Sequence, residues 1–424
     1  MMQFFKKTYG EIVNSNYFKN LFVLTSGVGV SQLIPFLLLP ILTRFFTPSD
    51  FGVFALFMAI IQLLTIPMTC RLEMAVILPK KDTDAALLCF MSLVSLLFFS
   101  ILTFLVLLLC NLSDLYFDVF IGFEWIVYLI PLGVVMFGVY NILYSWNNRL
   151  ELYYRMSYSH ILHSAFSTPL SIAFYFTPLK PVALILGQII GRFLACVLLL
   201  KNLIKTIRQV PYDSIYRQCL SLLKEYRKFI IFETPHSVLN FFSQKYILGV
   251  FTAFFGMVTV GIFDVADKII AKPLGILSNS FKTVFYKRLT TAKDKLTIFK
   301  KSLFLITFAS FLLTVPFYII PDSVFIFLLG PEWSDTGRYI QLICPLLFSR
   351  FIFNVVTPTI SYTLQNHYLL IWQIMYTISL ILLFWLLSGY SVENVILYYA
   401  LFGAFMYAVL GGVSFIVLKN HIKN

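Results

Sequence analysis

The stretch FGMVTVGIFDVADKIIAKPLGILSNSFKTVFYK, residues 255–287, is long and apolar enough to cross a membrane, yet it carries Asp264, Asp267, Lys268, Lys272 and Lys282. An Asp or Lys at the centre of a membrane helix costs about 2.5–3.5 kcal/mol, whereas a Leu, Ile, Phe or Val returns only about 0.3–0.6 kcal/mol. Five such charges are incompatible with a helix that faces lipid on all sides. At helical spacing Asp264, Lys268 and Lys272 stack at i, i+4 and i+8, with Asp267 at the edge of the same face, so the charges gather into one stripe. A stripe of this kind looks into protein or water. The rest of the chain has to supply that environment.

Composition agrees. The 424 residues are 59% hydrophobic and only 12% charged, with a mean hydropathy of +0.87, far below the roughly 25% charged residues of soluble domains. The chain reads as an all-α polytopic membrane protein. Apolar runs near the roughly 20 residues that a bilayer requires recur at 18–43, 51–77, 85–110, 125–147, 158–178, 181–203, 229–254, 258–285, 301–320, 337–362, 369–388 and 394–418, which makes about twelve expected transmembrane helices. No removed signal peptide is expected, because the first twenty residues lack an apolar segment followed by a small-residue cleavage site. The six cysteines lie apart, with no metal-ligand spacing, and no metal site is expected.

The net charge of +13 is explained by where the basic residues sit. With the N-terminus inside, 22 of the 32 Lys and Arg fall in the inner segments or at adjoining helix ends, against Arg44, Lys180 and Arg338 outside. The positive-inside rule then puts both termini in the cytoplasm, and no nucleic-acid partner is needed. The longest inner segment, 204–228, carries Lys205, Arg208, Arg217, Lys224, Arg227 and Lys228 near the middle of the chain and reads as a linker on the anionic inner leaflet. A weak internal match supports a duplication about that midpoint: FTPSDFGVF (46–54) and FGMVTVGIF (255–263) each lead a span. Prolines inside many spans, among them Pro35, Pro40, Pro169, Pro273, Pro316, Pro345 and Pro358, predict kinks.

Three segments carry a family resemblance: FTPSDFGVFAL (46–56), RLEMAVILPKKDTDAALL (71–88) and GIFDVADKIIAKPLGILSNSFKTVFYKRL (261–289). In them, and in span count and orientation over the whole chain, the protein resembles the bacterial O-antigen and polysaccharide flippases of the multidrug/oligosaccharidyl-lipid/polysaccharide superfamily. The resemblance implies two six-helix lobes around a central cavity, 1–203 and 229–424, joined by the linker 204–228. It implies a non-enzymatic flippase that carries an undecaprenyl-pyrophosphate-linked oligosaccharide from the cytoplasmic to the periplasmic leaflet of the inner membrane. The implied partners are that lipid-linked substrate, the lipid bilayer, and polysaccharide polymerase and chain-length proteins. No cofactor is implied beyond a coupling H⁺ or Na⁺. Two Asp in the eighth span depart from the family's more neutral pattern and leave the coupling ion open.

A pyrophosphate cannot cross hydrocarbon uncompensated, so such a transporter needs cations facing a cavity. The candidates are Lys245, Arg350, Arg192, Lys268 and Lys272; Lys282 sits closer to an inner helix end and reads as an interfacial anchor. Lys268 and Lys272 could equally pair with Asp264 and Asp267. Arg71 and Glu73, two residues apart, point in different directions on a helix; Glu73, matching an acid that recurs in the family, would carry a coupling proton or close a helix-end salt bridge. His160 and His163 share a helix face at i, i+3 without a nearby carboxylate, so a metal is not expected there and a proton relay is conceivable. The tryptophans read mainly as interfacial belts. A cation-coupled multidrug exporter is the alternative within the same fold, and the excess of deep cations argues against it. A membrane glycosyltransferase or polymerase would need a sizeable extramembrane loop with catalytic residues, and none is present.

Overall fold

The computed structural model describes residues 16–112, 124–200, 203–207, 215–291, 294–363, 365 and 367–423. Residues 1–15, 113–123 and the middle of the basic linker (208–214) lie outside the described residues. Every regular element among the described residues is helical. Nine described helices are long and apolar enough to span a membrane. One of these, running to Thr290, covers both the seventh and eighth expected spans. The remaining two expected spans fall on Tyr153–Tyr175, which is serine-rich, and on Ala183–Leu199, which is apolar but only 17 residues long.

Packing divides the chain into two units: Met1–Phe45 with Leu56–Val238, and Phe46–Ala55 with Leu239–Asn424. The first unit contains α1 (Asn16–Phe45), most of α2 (Pro48–Met68), α3 (Leu72–Ala75), α4 (Asp82–Leu112), α5 (Ile130–Arg149), α6 (Tyr153–Tyr175), α7 (Ala183–Leu199), α8 (Leu203–Ile207) and α9 (Ile215–Lys228). Its most extensive contacts run between α6 and α7 and between α1 and α6. The small buried side chains Ser159, Ser164, Ser167, Thr168 and Ser171 on α6 permit that close approach. On α4, Phe98, Ile101, Leu105 and Leu109 are exposed, as expected of a helix whose solvent is lipid. The described parts of the basic segment 204–228 pack within this unit, where Ile215, Tyr216, Cys219 and Leu223 of α9 line an apolar pocket with Phe90, Val94 and Phe98 of α4. The basic residues of α9 occupy other positions, the pattern of a helix lying at a membrane surface.

One expected span is corrected. The segment 51–77 is not helical throughout: α2 stops at Met68, and Cys70 and Arg71 take left-handed backbone angles (φ 53° and 52°). The chain then turns through the single helical turn of α3. Arg71 and Glu73 therefore do not sit on one continuous helix, and their side chains meet.

In the second unit α10 (Thr234–Thr291) is interrupted at Gly256, whose φ of 80° and ψ of 175° are open only to glycine. The break separates the seventh and eighth expected spans, and the charged stretch begins at it. After the break, Gly261 meets the first turns of α2: a Cβ there would overlap the Pro48 carbonyl oxygen, and one at Gly52 would overlap the Met257 carbonyl. The motif 46–54 is thus held against its sequence counterpart 255–263. Phe51 adds an edge contact with the fully buried Trp333, 5.1 Å between centroids. α11 (Lys295–Thr314), α12 (Pro316–Ile319), α13 (Asp322–Leu329), α14 (Thr336–Val356), α15 (Pro358–Tyr362), α16 (His367–Leu386) and α17 (Val392–Lys423) complete the unit, with α14 packed most closely on α17. Pro316 and Pro358 each open a short helix at its first position, so the proline marks a restart of the helix.

Candidate functional site

Each unit holds a cluster of charge among its helices. In the second, Asp264 and Asp267 of the α10 stripe, but not Lys268 or Lys272, line a cavity of about 90 Å³ with Gln244 and Lys245 from the same helix before Gly256, Arg350 from α14 and Tyr399 from α17. A further cavity of about 270 Å³ shares Ala271 and Arg350 with it and adds Ser278, Asn279, Lys282 and Asn354. Lys282 thus lines a polar cavity, where an interfacial anchor was expected.

The charges here largely answer one another. Asp264 is buried and ion-paired with Lys268 one turn on, the i, i+4 pairing open in the sequence. The same ammonium lies 5.3 Å from the centroid of Phe54. The Arg350 guanidinium donates to Gln244 Oε1 at 3.4 Å, and Asp267 and Tyr407 lie within electrostatic range of it. Gln244 is oriented by donating to Asn240 Oδ1 at 2.6 Å. Lys272 is exposed and within electrostatic range of Lys268, Asp264, Lys245 and Asp267. An aromatic wall stands behind Arg350: Trp372 stacks on Tyr376 (5.1 Å, 6°), and Tyr376 on Phe402 (6.2 Å, 3°). The Trp372 indole N–H donates to the Met406 carbonyl at 2.8 Å. Trp125 and Trp385 are exposed, as a belt requires, but Trp146 and Trp333 are fully buried. For those two the belt reading is corrected: packing, and not the interface, places them.

In the first unit Arg192 of α7 is treated differently. Its guanidinium carbon lies 3.6 Å from the centroid of Phe137 and 4.9 Å from that of Tyr140, both on α5. Among the described residues Arg192 makes no ion pair and no side-chain hydrogen bond, and its Nε is buried without an acceptor. Cation–π contact offsets about 0.5–2 kcal/mol of desolvation, well short of the several kcal/mol that a buried ion loses. The Tyr140 hydroxyl lies 3.2 Å from His160 Nδ1 and 3.3 Å from Ser159 Oγ. Tyr144 stacks on Tyr140 and meets His160 edge-on at 5.2 Å. Sequence reading singled out Arg192 and His160 but missed the aromatic partners. Phe137, Tyr140 and Tyr144 recur at i, i+3 and i+7, a signal for one helix face.

A third group lies outside the spans. Glu73 is 3% exposed, and Arg71 Nη1 reaches its Oε1 at 3.5 Å, because the left-handed turn at Arg71 swings the guanidinium back. Burial raises the Glu73 carboxyl above the usual carboxylate range, against the opposing pull of Arg71. Arg149, read from sequence only as an inner positive charge, clamps the following loop. Its guanidinium donates to the carbonyls of Val76 (2.9 Å) and Pro79 (2.8 Å) and to Asp82 Oδ1 (2.9 Å).

This arrangement of helices is that of known transporters. The fold is similar to a multidrug resistance MATE transporter of the MOP superfamily in its outward-facing conformation (12% identity, 98% of each chain covered, TM-score 0.58). It is also similar to an inward-facing MATE transporter of that superfamily (13%, 95% of this chain and 94% of that one, 0.55). A MOP superfamily transporter from Pyrococcus furiosus, described as having reversed polarity in its binding pocket, matches at 11% over 96% of each chain, TM-score 0.54. The chain therefore shares the helical membrane-protein fold of those transporters. The family described as polysaccharide biosynthesis protein matches residues 41–338, and the chain belongs to that family. No curated protein matches the sequence.

Proposed function

We propose that the protein flips a polyprenyl-pyrophosphate-linked oligosaccharide, a surface-polysaccharide repeat unit such as O-antigen, from the cytoplasmic to the periplasmic leaflet of a bacterial inner membrane. It would work by alternating access, with both termini in the cytoplasm. The observation that carries this reading is Arg192: a guanidinium inside the helices of a polysaccharide-family protein that, among the described residues, is held by ring faces and has no carboxylate to neutralise it. A charge kept in that condition is poised for an anion supplied from outside, and a bidentate guanidinium suits a phosphate. Lys245, Arg350, Lys268 and Lys272 are the further cations assigned to the pyrophosphate. Asp264 and Asp267 balance charge in the second unit, and buried Glu73 is assigned to ion coupling. Because Asp264 is already paired with Lys268 and Asp267 lies close to Arg350, the second unit offers a cationic drug no free carboxylate pair, which disfavours the exporter reading.

The test is the sidedness of lipid-linked oligosaccharide in cells lacking the protein, read with a membrane-impermeant sugar-binding probe on inside-out and right-side-out vesicles. Accumulation on the cytoplasmic face, reversed by restoring the gene, supports flipping. An unchanged distribution overturns it.

A further inference from the structure

The contacts around Arg192 extend one group further, to a histidine with two satisfied protonation states. Ser159 Oγ donates its own proton to the Met156 carbonyl at 2.7 Å, so toward Tyr140 it can only accept. The Tyr140 hydroxyl has one proton and two neighbours, Ser159 Oγ at 3.3 Å and His160 Nδ1 at 3.2 Å. When His160 is neutral with Nδ1 bare, Tyr140 donates to it. When His160 is protonated, Nδ1–H donates to the Tyr140 oxygen, and the hydroxyl proton turns to Ser159 Oγ. The same three atoms satisfy both states, so a proton arrives without stranding a polar group.

The charge has a direction as well. On its own helix His160 has His163 one turn on and Arg155 further back; α5 presents Tyr140 and Tyr144; α7 presents Arg192 and Cys196. The only ionisable side chain described on α1 is Arg44, at the end where Phe45 packs on Tyr175. Among the described residues no carboxylate contacts His160 or Arg192. An imidazolium would be the second positive charge of a cluster that has no negative one among the described residues.

We propose that His160, relayed through Tyr140, is the titratable half of the anion site at Arg192, so that a phosphate-bearing ligand binds there together with a proton. This rests on the preceding reading that Arg192 receives the pyrophosphate. Linkage is reciprocal: a proton on His160 tightens the anion, and the anion holds the proton. The proton cancels one of the ligand's charges where uncompensated charge is most costly.

The test is isothermal titration calorimetry of geranyl pyrophosphate onto the purified full-length protein in detergent. It is run from pH 5.5 to 8 in buffers of different ionisation heat, so that protons taken up are counted. The wild type should bind on the order of tenfold more tightly than His160→Gln at the acid end, a coupling within the usual range, with about half a proton taken up by the histidine per ligand near the midpoint. His160→Gln should match the wild type at the alkaline end, lose the tightening in acid and lose the histidine's share of the uptake, and Arg192→Gln should lose binding at every pH. The probe's own phosphate titration is common to all variants and weakens binding in acid, so the difference between wild type and His160→Gln isolates the histidine. His160→Gln with wild-type slope and proton uptake overturns the proposal and leaves the anion site itself standing. No binding by the wild type at any pH removes the anion reading and the proposal with it. Should His160→Gln not fold, Tyr140→Phe carries the test: it removes the acceptor of the protonated Nδ1–H, and unchanged proton uptake in it is the overturning result.

Discussion

The clusters at Arg192 and at Arg350 are both cationic and both lie among the helices, but they are stabilised in different ways. Around Arg350, opposite charges and amides are folded together: Lys268 with Asp264, Arg350 with Gln244 and near Asp267. Around Arg192 the described residues supply π faces, a phenol and an imidazole, and no carboxylate. A self-neutralised cluster belongs to the fold's own energetics, and removing one member leaves its partner stranded. An uncompensated cation lowers stability where it stands, so its retention points to a ligand.

The contrast can be broken most sharply at Lys268. Lys268→Ala leaves Asp264, 4% exposed, without its counter-ion, and should cost about 3–5 kcal/mol. Thermal unfolding of the purified protein measures this, and Asp264→Asn combined with Lys268→Met should cost well under the sum of the single losses. Additive losses would mean that the pair is not a pair. In the first unit Arg192→Met should run the other way, leaving unliganded thermal stability unchanged or raised while geranyl pyrophosphate binding falls at least tenfold. A variant as damaged in stability as Lys268→Ala would place Arg192 among the structural charges. Arg192→Lys should be intermediate, because an ammonium keeps the charge but loses the flat stacking on Phe137, worth about 1 kcal/mol. Lys245→Ala and Arg350→Ala should abolish flipping in vesicles without loss of membrane insertion, and normal transport in both would withdraw the second unit from substrate contact.

The smallest effect is expected at Glu73, a buried acid with one cationic neighbour and so midway between the two clusters. Its carboxyl is raised in the folded protein by burial. The folded state therefore gains from the protonated form, and stability is lost as pH rises from the unfolded carboxylate range through the folded value. Glu73→Gln should stabilise the protein at neutral pH, with the gain shrinking to nothing in acid. A melting curve from pH 4 to 8 shows this, and a constant difference would mean that the carboxyl does not titrate on folding.

The i, i+4 pairing of Asp264 with Lys268 was legible in the sequence, because helical spacing alone brings those side chains onto one face. The loop after α2 was not. Hydropathy runs on smoothly through Thr69 and Cys70, and only the left-handed turn at Cys70 and Arg71 ends the helix and brings Arg71 back to Glu73. Arg149 counted in the sequence as one more inner positive charge, since its carbonyl acceptors at Val76 and Pro79 belong to a distant segment.

By itself, the sequence determined that the protein is a helical membrane protein, how its spans are spaced, and that it resembles the polysaccharide flippases. Hydropathy, charge asymmetry and local motifs are sums over neighbours along the chain, and the bilayer reads them one segment at a time. Only the tertiary structure decided which charges are answered and which are not. Arg192, Phe137, Tyr140 and His160 sit on three helices, and whether a cation meets a carboxylate or a ring is settled by which faces of those helices pack together.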